Sequence, residues 1–168
     1  MGRDRVSHKY GIKMHTNMKI EEKKHFRDLL IAKRQRVDAK TRELAGLAAR
    51  NLLEKSVLFS TSQHVAGYFA MNDEFDCEPI IQLIHERGKT CYVPVLGENR
   101  ILSFMQYRAG DALRPNRYGI PEPSGQKMLS AENLDLVLVP LVGFDGQGGR
   151  LRNAITIGHG GWLLRPDF

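Results

Sequence analysis

The sequence contains little cysteine and has no long hydrophobic run. Its two cysteines, Cys77 and Cys91, lack C-x-x-C spacing and a nearby histidine cluster. They are too few for a disulfide scaffold and do not favour a zinc site, so we expect two reduced thiols. No apolar run approaches the roughly 18 residues of a membrane-spanning helix, and residues 1–20 lack the apolar stretch of a secretory signal. The sequence therefore predicts a soluble cytoplasmic protein without a membrane partner.

The common signatures of hydrolytic and metal chemistry are also missing. No serine or cysteine lies in a G-x-S-x-G context, so hydrolase chemistry of the nucleophile-elbow type has no support. The histidines lack H-E-x-x-H or any other metal spacing; the four considered are His25, His64, His85 and His159. Neither a Walker loop nor a dinucleotide fingerprint is present.

The charge of the chain is concentrated near its start. The formal net charge is +6, and residues 1–50 carry 14 Lys and Arg against 6 Asp and Glu. Such a segment is typical of a basic arm or helix that meets phosphate, or of a solvated face. A polynucleotide partner is the weaker alternative, because the rest of the chain has no nucleic-acid motif.

The length of 168 residues with 42% apolar content predicts one domain. A basic amphipathic helix is expected from residue 20, and Asp38 is the expected N-cap of a second helix ending near Lys55. The stripe expected to face the core of that second helix consists of Leu44, Leu47, Ala48 and Leu52. Residues 1–19 are expected to form a disordered extension, and residues 20–168 the domain.

A strand, helix, strand pattern follows. Residues 64–70 and 90–96 are strand-like, and Pro79 and Gly88 mark the start and the end of the helix between them. An antiparallel edge strand is expected at 101–107, a loop at 111–125, and a central strand covered on both faces at 134–140. The pattern predicts a single-domain, three-layer α/β/α fold with a mostly parallel, Rossmann-like sheet and an antiparallel edge.

Three segments are candidates for chemistry. The loop at 143–149 contains four glycines and precedes Arg150, so it could cradle a phosphate or be a plain glycine-rich turn. An acidic group past a strand end could bind an amino-substituted heterocycle, help to hold a metal, or be a solvated turn; its members are Asp73, Glu74 and Asp76. A basic group could meet phosphates or be a solvated helix face; its members are Lys23, Lys24 and Arg27.

Taken in order, five segments resemble the 5-formyltetrahydrofolate cyclo-ligase family, also called methenyltetrahydrofolate synthetase. The segment at 23–27 is similar to the family's K-x-x-L-R, and 69–74 to its F-x-x-x-x-E. Residues 87–89 with 93–94, and 118–123, which resembles G-I-x-E-P, follow in the same order. The last segment, 135–151, resembles D-L-v-l-v-P-g-x-x-F-D-x-x-G-x-R-L-G.

This resemblance implies an ATP- and Mg²⁺-dependent ligase of folate one-carbon metabolism. The implied reaction converts 5-formyltetrahydrofolate to 5,10-methenyltetrahydrofolate with release of ADP and phosphate. We expect the chain to be a monomer that binds no nucleic acid. By resemblance, Lys23 and Arg27 bind ATP phosphates, and an ATP-binding loop begins at Gly149, Arg150 and Leu151, with Lys23 and Arg150 catalytic. The implied folate site consists of Phe69, Glu74 and Tyr118, and Asp145 would support the loop.

The chain departs from the family pattern after Leu151. The family continues G-x-G-x-G-Y-Y-D-R, whose aspartate is thought to help bind magnesium, whereas residues 158–167 read G-H-G-G-W-L-L-R-P-D. Synonymous codons for those ten residues, read one nucleotide out of frame, give G-M-G-G-G-Y-Y-D-R-T. We therefore keep as an alternative a catalytically impaired folate-binding relative, shortened and altered by a frameshift after Leu151. Because the family's aspartate is absent, the residues that would bind a metal are unknown. A basic nucleic-acid-binding module is the second alternative.

Overall fold

The computed structural model describes residues 20–97, 102–125, 127–144 and 150–152. The expected extension at 1–19 and the loop residues 145–149 lie outside the described residues. Four helices precede or interrupt the sheet: α1 (Ile20–Gln35), α2 (Ala39–Glu54), α3 (Val57–Thr61) and α4 (Glu78–Glu86). Nine short strands are described: β1 (His64–Ala66), β2 (Thr90–Leu96), β3 (Leu102–Tyr107), β4 (Leu113–Pro115), β5 (Pro121–Pro123), β6 (Met128–Leu129), β7 (Leu136–Val137), β8 (Leu141–Phe144) and β9 (Arg150–Arg152).

Local signals place the helix ends. The Asp38 carboxylate accepts a 2.9 Å hydrogen bond from the Thr41 amide, which confirms the predicted N-cap of α2. Proline occupies the first turn of α4, where its missing amide hydrogen costs nothing. Gly88 follows α4 with φ +66°, a backbone conformation that favours glycine and ends the helix as predicted.

The main sheet has the strand order β6-β3-β2-β1-β7. Strand β1 pairs in parallel with β2 and with β7, whereas β3 runs antiparallel to β2 and β6. The helices α2 and α4 pack on each other, and the Ile80, Ile81 and Ile84 side chains of α4 join the buried cluster that contains Val65 of β1. The predicted single α/β domain with an antiparallel edge is thereby confirmed.

The predicted central strand at 134–140 is corrected. Only Leu136–Val137 form a strand, and within the described residues β7 is the terminal strand of the sheet. Residues 138–140, which follow it, are half-buried and border a cavity at this end of the sheet. The strand predicted at 64–70 likewise ends at Ala66, since the chain leaves the sheet there to line the same cavity.

The predicted loop at 111–125 contains a two-stranded hairpin. Strands β4 and β5 pair antiparallel, with Pro115 opposite Pro121. Prolines are compatible with a strand at an edge, where no partner requires their missing amide hydrogen. The proline content that suggested a loop is therefore equally consistent with this isolated pair.

The helix stripe predicted to face the core from α2 is also wrong. The Leu44, Leu47 and Leu52 side chains are exposed, and the opposite face carries Ala49 and Leu53 against the core. Gly46 is the buried residue of α2, and a Cβ atom there would lie 3.2 Å from the Pro79 side chain of α4. The close approach of the two helices therefore selects the face with the smaller residues.

The two cysteines are free and buried, as expected for reduced thiols. Burial raises the pKa of the Cys77 thiol to about 11 and that of the Cys91 thiol to about 12. Thiols with such pKa values are poor nucleophiles near neutral pH. Among the described residues, no helix has the length and apolar character needed to cross a membrane.

Candidate functional site

A cavity of about 410 Å³ opens at the carboxyl ends of the parallel strands β1, β2 and β7. Such ends are the usual ligand-binding edge of an open α/β sheet. The cavity volume is in the range of small-molecule sites, and most of the lining is apolar. The polar and charged side chains on the lining are Arg34, Gln35, Tyr68, Asn72, Asp73, Glu74, Asn116, Tyr118 and Glu122.

Three residues that the sequence suggests for folate binding line this one cavity: Phe69, Glu74 and Tyr118. The Phe69 ring is half-buried and packs edge to face on Tyr107, with 5.0 Å between the ring centroids. Phe69 therefore contributes to the core and to the cavity wall. Tyr118 is 42% exposed and lies on a different wall, in the turn between β4 and β5.

Glu74 belongs to a tight turn that follows β1. Its carboxylate accepts a 3.1 Å hydrogen bond from the Met71 amide, and its own amide donates to the Met71 carbonyl at 3.0 Å. Asn72, inside the turn, has φ +53°, which asparagine tolerates better than most residues. The local sequence thus fixes a carboxylate at the cavity edge. Asp73, the residue immediately before Glu74, also lines the cavity and pairs with Arg34 of α1.

The turn between β4 and β5 is held by a side-chain amide. The Asn116 side-chain oxygen accepts hydrogen bonds from the amides of Tyr118, at 2.9 Å, and Ile120, at 3.1 Å. Gly119 has φ +77°, the conformation this turn requires of it. The Glu122 carboxylate then accepts from the Asn116 side chain and from the Leu96 amide at the end of β2, each at 2.8 Å.

Helix α1 brings its basic face to the other side of the site. Lys23, Arg27 and Arg34 lie on one face by helical spacing, and all three are half-buried. Of these only Arg34 lines the cavity, so the predicted phosphate ligands Lys23 and Arg27 lie outside its wall. Helix α1 packs on β8, and β8 pairs with β9 through Phe144 opposite Arg150.

Similarity to known proteins covers most of the chain. A sequence model of the 5-formyltetrahydrofolate cyclo-ligase family matches residues 19–161. The chain belongs to the 5-formyltetrahydrofolate cyclo-ligase family. It is 33% identical over 107 residues to the 5-formyltetrahydrofolate cyclo-ligase of Haemophilus influenzae, covering 61% of this chain and 55% of that protein. The mouse (Mus musculus) protein of the same name is 28% identical over 126 residues, which cover 64% of this chain and 62% of that protein.

Solved structures of family members share the fold. The 5,10-methenyltetrahydrofolate synthetase of Aquifex aeolicus superposes with a TM-score of 0.70 at 25% identity, over 78% of this chain and 66% of that one. The synthetase of Mycoplasma pneumoniae gives 0.58 at 14% identity, over 79% and 72% of the two chains, and supports the fold alone. The chain spans about half to three fifths of the length of the curated relatives it matches.

The remaining cyclo-ligase motif residues are distributed as follows. Leu151 is buried and lies opposite Gly143 in the β8–β9 pair, where Arg150 takes part through its backbone. Gly149 and Asp145 lie outside the described residues. The Asp76 carboxylate accepts a 3.0 Å hydrogen bond from the Glu78 amide, two residues further along, so it forms a local turn that leads into α4. Lys24 is exposed, as expected of a solvated helix face.

Sequence reasoning missed three residues on the cavity wall: Arg34, Asn116 and Glu122. Glu122 lies in the segment that resembles the family's G-I-x-E-P, so the motif pointed to it without giving it a role. Arg34 follows Arg27 by seven residues, or two helical turns, and so belongs to the basic face predicted for α1, but sequence reasoning assigned it no role in a site. Asn116 follows Pro115 and precedes Gly119, a composition typical of a turn held by a side-chain amide.

The described residues do not fit a protein-held magnesium ion. In residues 20–97, 102–125, 127–144 and 150–152, no group of three or more His, Cys, Asp or Glu side chains could ligate a metal. The Asp73 carboxylate is paired with Arg34, which lowers its value as a cation ligand.

Proposed function

We propose that this chain binds 5-formyltetrahydrofolate in the cavity and ATP beside it, and converts the folate to 5,10-methenyltetrahydrofolate with release of ADP and phosphate. The proposal rests on one observation: Phe69, Glu74 and Tyr118 all line a single cavity of about 410 Å³. Membership of the cyclo-ligase family supports the reaction class.

The chemistry of the cavity wall suits a reduced pterin. The ring system presents several N–H donors along one edge, and carboxylates accept hydrogen bonds from such donors. Glu74 lies at the cavity edge as that acceptor, while the Phe69 and Tyr118 rings offer apolar surfaces to the two faces of the heterocycle. The apolar remainder of the wall would exclude water from the formyl group.

The reaction needs positive charge more than it needs a protein nucleophile. In the proposed sequence the formyl oxygen attacks the γ-phosphorus of ATP and ADP leaves. Nitrogen-10 of the folate then adds to the activated carbon, phosphate departs from it with its electron pair, and the N–H proton is lost. Charge develops on phosphoryl oxygens, which cations and backbone amides stabilise. Lys23 and Arg27 of α1, with Arg150 and the loop that precedes it, are proposed for this role.

Position along α1 supports this assignment. Arg34 lines the cavity, and Arg27 precedes it by two helical turns, about 10 Å of helix. Lys23 lies one further turn away on the same face. A triphosphate along this face would reach from Lys23 toward the cavity, so that its terminal phosphate approaches the formyl group. Mg²⁺ enters the proposal as the ion that accompanies ATP phosphates, in the cytoplasm where ATP and reduced folates occur.

An assay with a matched control tests the proposal. Purified protein is mixed with 5-formyltetrahydrofolate, ATP and Mg²⁺, and the absorbance of the methenyl product is followed. Glu74→Gln should reduce kcat/KM for the folate about tenfold or more, the cost of about one charged hydrogen bond. The exposed Glu132, which lies outside the cavity lining, gives the control Glu132→Gln, which should leave activity unchanged. Failure of the unmodified chain to bind folate would refute the proposal.

The altered sequence after Leu151 favours a second candidate, a folate-binding relative with impaired phosphoryl transfer. This chain would bind 5-formyltetrahydrofolate and form no methenyl product. A variant in which G-M-G-G-G-Y-Y-D-R-T replaces residues 158–167 should then gain the activity. Reading the gene from the codon of Leu151 to that of Trp162 tests the frameshift itself, since codons that cannot yield G-Y-Y in the neighbouring frame would exclude it.

A further inference from the structure

An ion pair fastens helix α1 to the turn that carries Glu74. The Arg34 Nε atom donates to an Asp73 carboxylate oxygen at 2.9 Å, across 39 residues of sequence. The two side chains are only 20% and 16% exposed, and both line the cavity. A pair so shielded from water has a more defined geometry than an ion pair on an open surface.

The two ends of this contact carry different parts of the proposed site. On one side, Arg34 continues the helix face of Lys23 and Arg27, and a helix of 16 residues moves as a rigid rod. On the other side, Asp73 immediately precedes Glu74, whose turn is closed by two hydrogen bonds with Met71. A shift at the ion pair therefore moves Lys23 and Arg27, which are proposed to bind phosphates, relative to Glu74, which is proposed to bind the folate.

The charge state of the pair is fixed under working conditions. The hydrogen bond from the Arg34 side chain is the main cause that lowers the pKa of the Asp73 carboxyl, so it stays ionised near neutral pH. Removing one partner leaves the other charge without its counterpart on the cavity wall. Substitution of either residue should consequently change the position of α1 relative to the turn that carries Glu74.

We propose that Arg34 and Asp73 are positioning residues, whose ion pair sets α1 and the Glu74 turn at the separation at which bound nucleotide and bound folate react. The inference rests on the proposed function, in which α1 meets the phosphates and Glu74 the folate. The nucleotide binds α1, the folate binds the Glu74 turn, and each favours this same separation. Binding of either substrate therefore favours binding of the other.

Substitutions at the pair should affect turnover more than binding of a single substrate. Arg34→Gln and Asp73→Asn keep Lys23, Arg27 and Glu74, so each KM should rise by no more than about fivefold, the typical coupling between two sites. Turnover depends on the alignment of both substrates, for which a displacement near 1 Å can cost a factor of about one hundred. We expect kcat to fall about tenfold in each variant, and no further in the double variant, because the two changes remove one shared interaction.

A second ion pair between an arginine and a carboxylate provides the control. Arg50 of α2 and Glu86 of α4 are joined at 2.6 Å, and neither lines the cavity. Arg50→Gln and Glu86→Gln should leave kcat and both KM values unchanged. Equal losses in this control pair would show that the effect reflects general stability and would overturn the proposal. Urea unfolding of every variant shows whether it is folded under the assay conditions.

Equilibrium binding gives a readout that does not require turnover. Folate affinity is measured by titration with and without a non-hydrolysable ATP analogue. In the unmodified chain the analogue should tighten folate binding at least about fivefold, a typical coupling between two sites. That factor should approach one in Arg34→Gln and Asp73→Asn, and return in part when Arg34→Asp and Asp73→Arg are combined to reverse the pair.

The outcomes separate the inference from the function on which it rests. If the unmodified chain binds neither folate nor the analogue, the proposed function fails and the inference falls with it. If the chain binds both and the variants retain coupling and kcat, only the inference is wrong. A third outcome is that Asp73→Asn keeps its kcat and coupling, while Arg34→Gln loses folate affinity even when the analogue is absent. Arg34 then binds the substrate directly, and the positioning role is overturned.

Discussion

Glu122 accepts a hydrogen bond from the side chain of Asn116 at 2.8 Å, and the same oxygen accepts from the Leu96 amide. This oxygen therefore joins the turn that bears Tyr118 to the end of β2. The carboxylate is half-buried on the cavity wall. Its role requires an acceptor and not a charge, since both donors are neutral amides.

Substitutions at Glu122 should therefore differ by whether an acceptor remains. Glu122→Gln keeps the side-chain oxygen, and we expect KM for 5-formyltetrahydrofolate within about threefold of the original. Glu122→Ala leaves two donors without their partner and frees the Tyr118 turn, which should raise this KM about tenfold, near 1.4 kcal/mol. Steady-state kinetics with the two variants measure the difference. A large loss in Glu122→Gln would show instead that the carboxylate itself contacts the folate.

Two adjacent leucines in α2 test the corrected orientation of that helix. Leu52 is 73% exposed, whereas Leu53 packs on the buried cluster. Leu52→Ala should change the free energy of unfolding by no more than about 0.5 kcal/mol. Leu53→Ala should reduce it by about 2 kcal/mol, the lower end for a core leucine because the side chain is partly buried. Urea unfolding distinguishes them, and a larger loss at Leu52 would restore the originally predicted stripe.

The close contact between α2 and α4 is tested at Gly46. A Cβ atom there would lie 3.2 Å from the Asp76 carbonyl oxygen and from the Pro79 side chain. Gly46→Val should therefore lower the free energy of unfolding by about 1–3 kcal/mol through overpacking. Ala48→Val introduces the same side chain at an exposed position of the same helix and should lose about 0.5 kcal/mol through its lower helix propensity. Equal losses would indicate that the helices separate without cost.

The features that the sequence predicts correctly are those that local chemistry determines. The Asp38 cap depends on a carboxylate three residues before the amide it binds, and the positive φ of Gly88 needs only a residue without a side chain. Strand β2 coincides with the prediction because its seven residues form one continuous strand-like run. None of these elements requires knowledge of a distant partner.

The features that it predicts wrongly depend on distant partners. Leucines occur on two faces of α2, and only the position of α4 decides which face is covered. The strand at 134–140 is shortened because a cavity lies beside it. Within the site, resemblance led to Phe69, Glu74 and Tyr118, whereas the Arg34–Asp73 contact joins positions 39 residues apart that no short motif connects.

The acid dependence of stability offers a prediction at Asp135. One oxygen of its carboxylate accepts hydrogen bonds from the amides of His64, at 2.7 Å, and Gln63, at 2.8 Å, which tie β1 to the start of β7. These bonds lower the pKa of Asp135 in the folded chain, the one from His64 most. At neutral pH, Asp135→Ala should cost roughly 1 kcal/mol of unfolding free energy, a value reduced for the solvent exposure of the carboxylate.

The sign of the pH effect follows from the lowered pKa. The folded chain holds the Asp135 proton less tightly than the unfolded chain does. In the unfolded chain the pKa of this carboxyl is about 3.9. The ionised carboxylate therefore stabilises the fold above that value, and its contribution is lost as the pH falls from about 5 through the folded pKa. Asp135→Asn removes the titration, so its unfolding free energy should decline less over this window than that of the unmodified chain. Urea unfolding at pH 7 and at steps from 5 to 3, with Glu132→Gln as control, measures this. Identical slopes in all three proteins would show that the two backbone hydrogen bonds do not depend on the charge of Asp135.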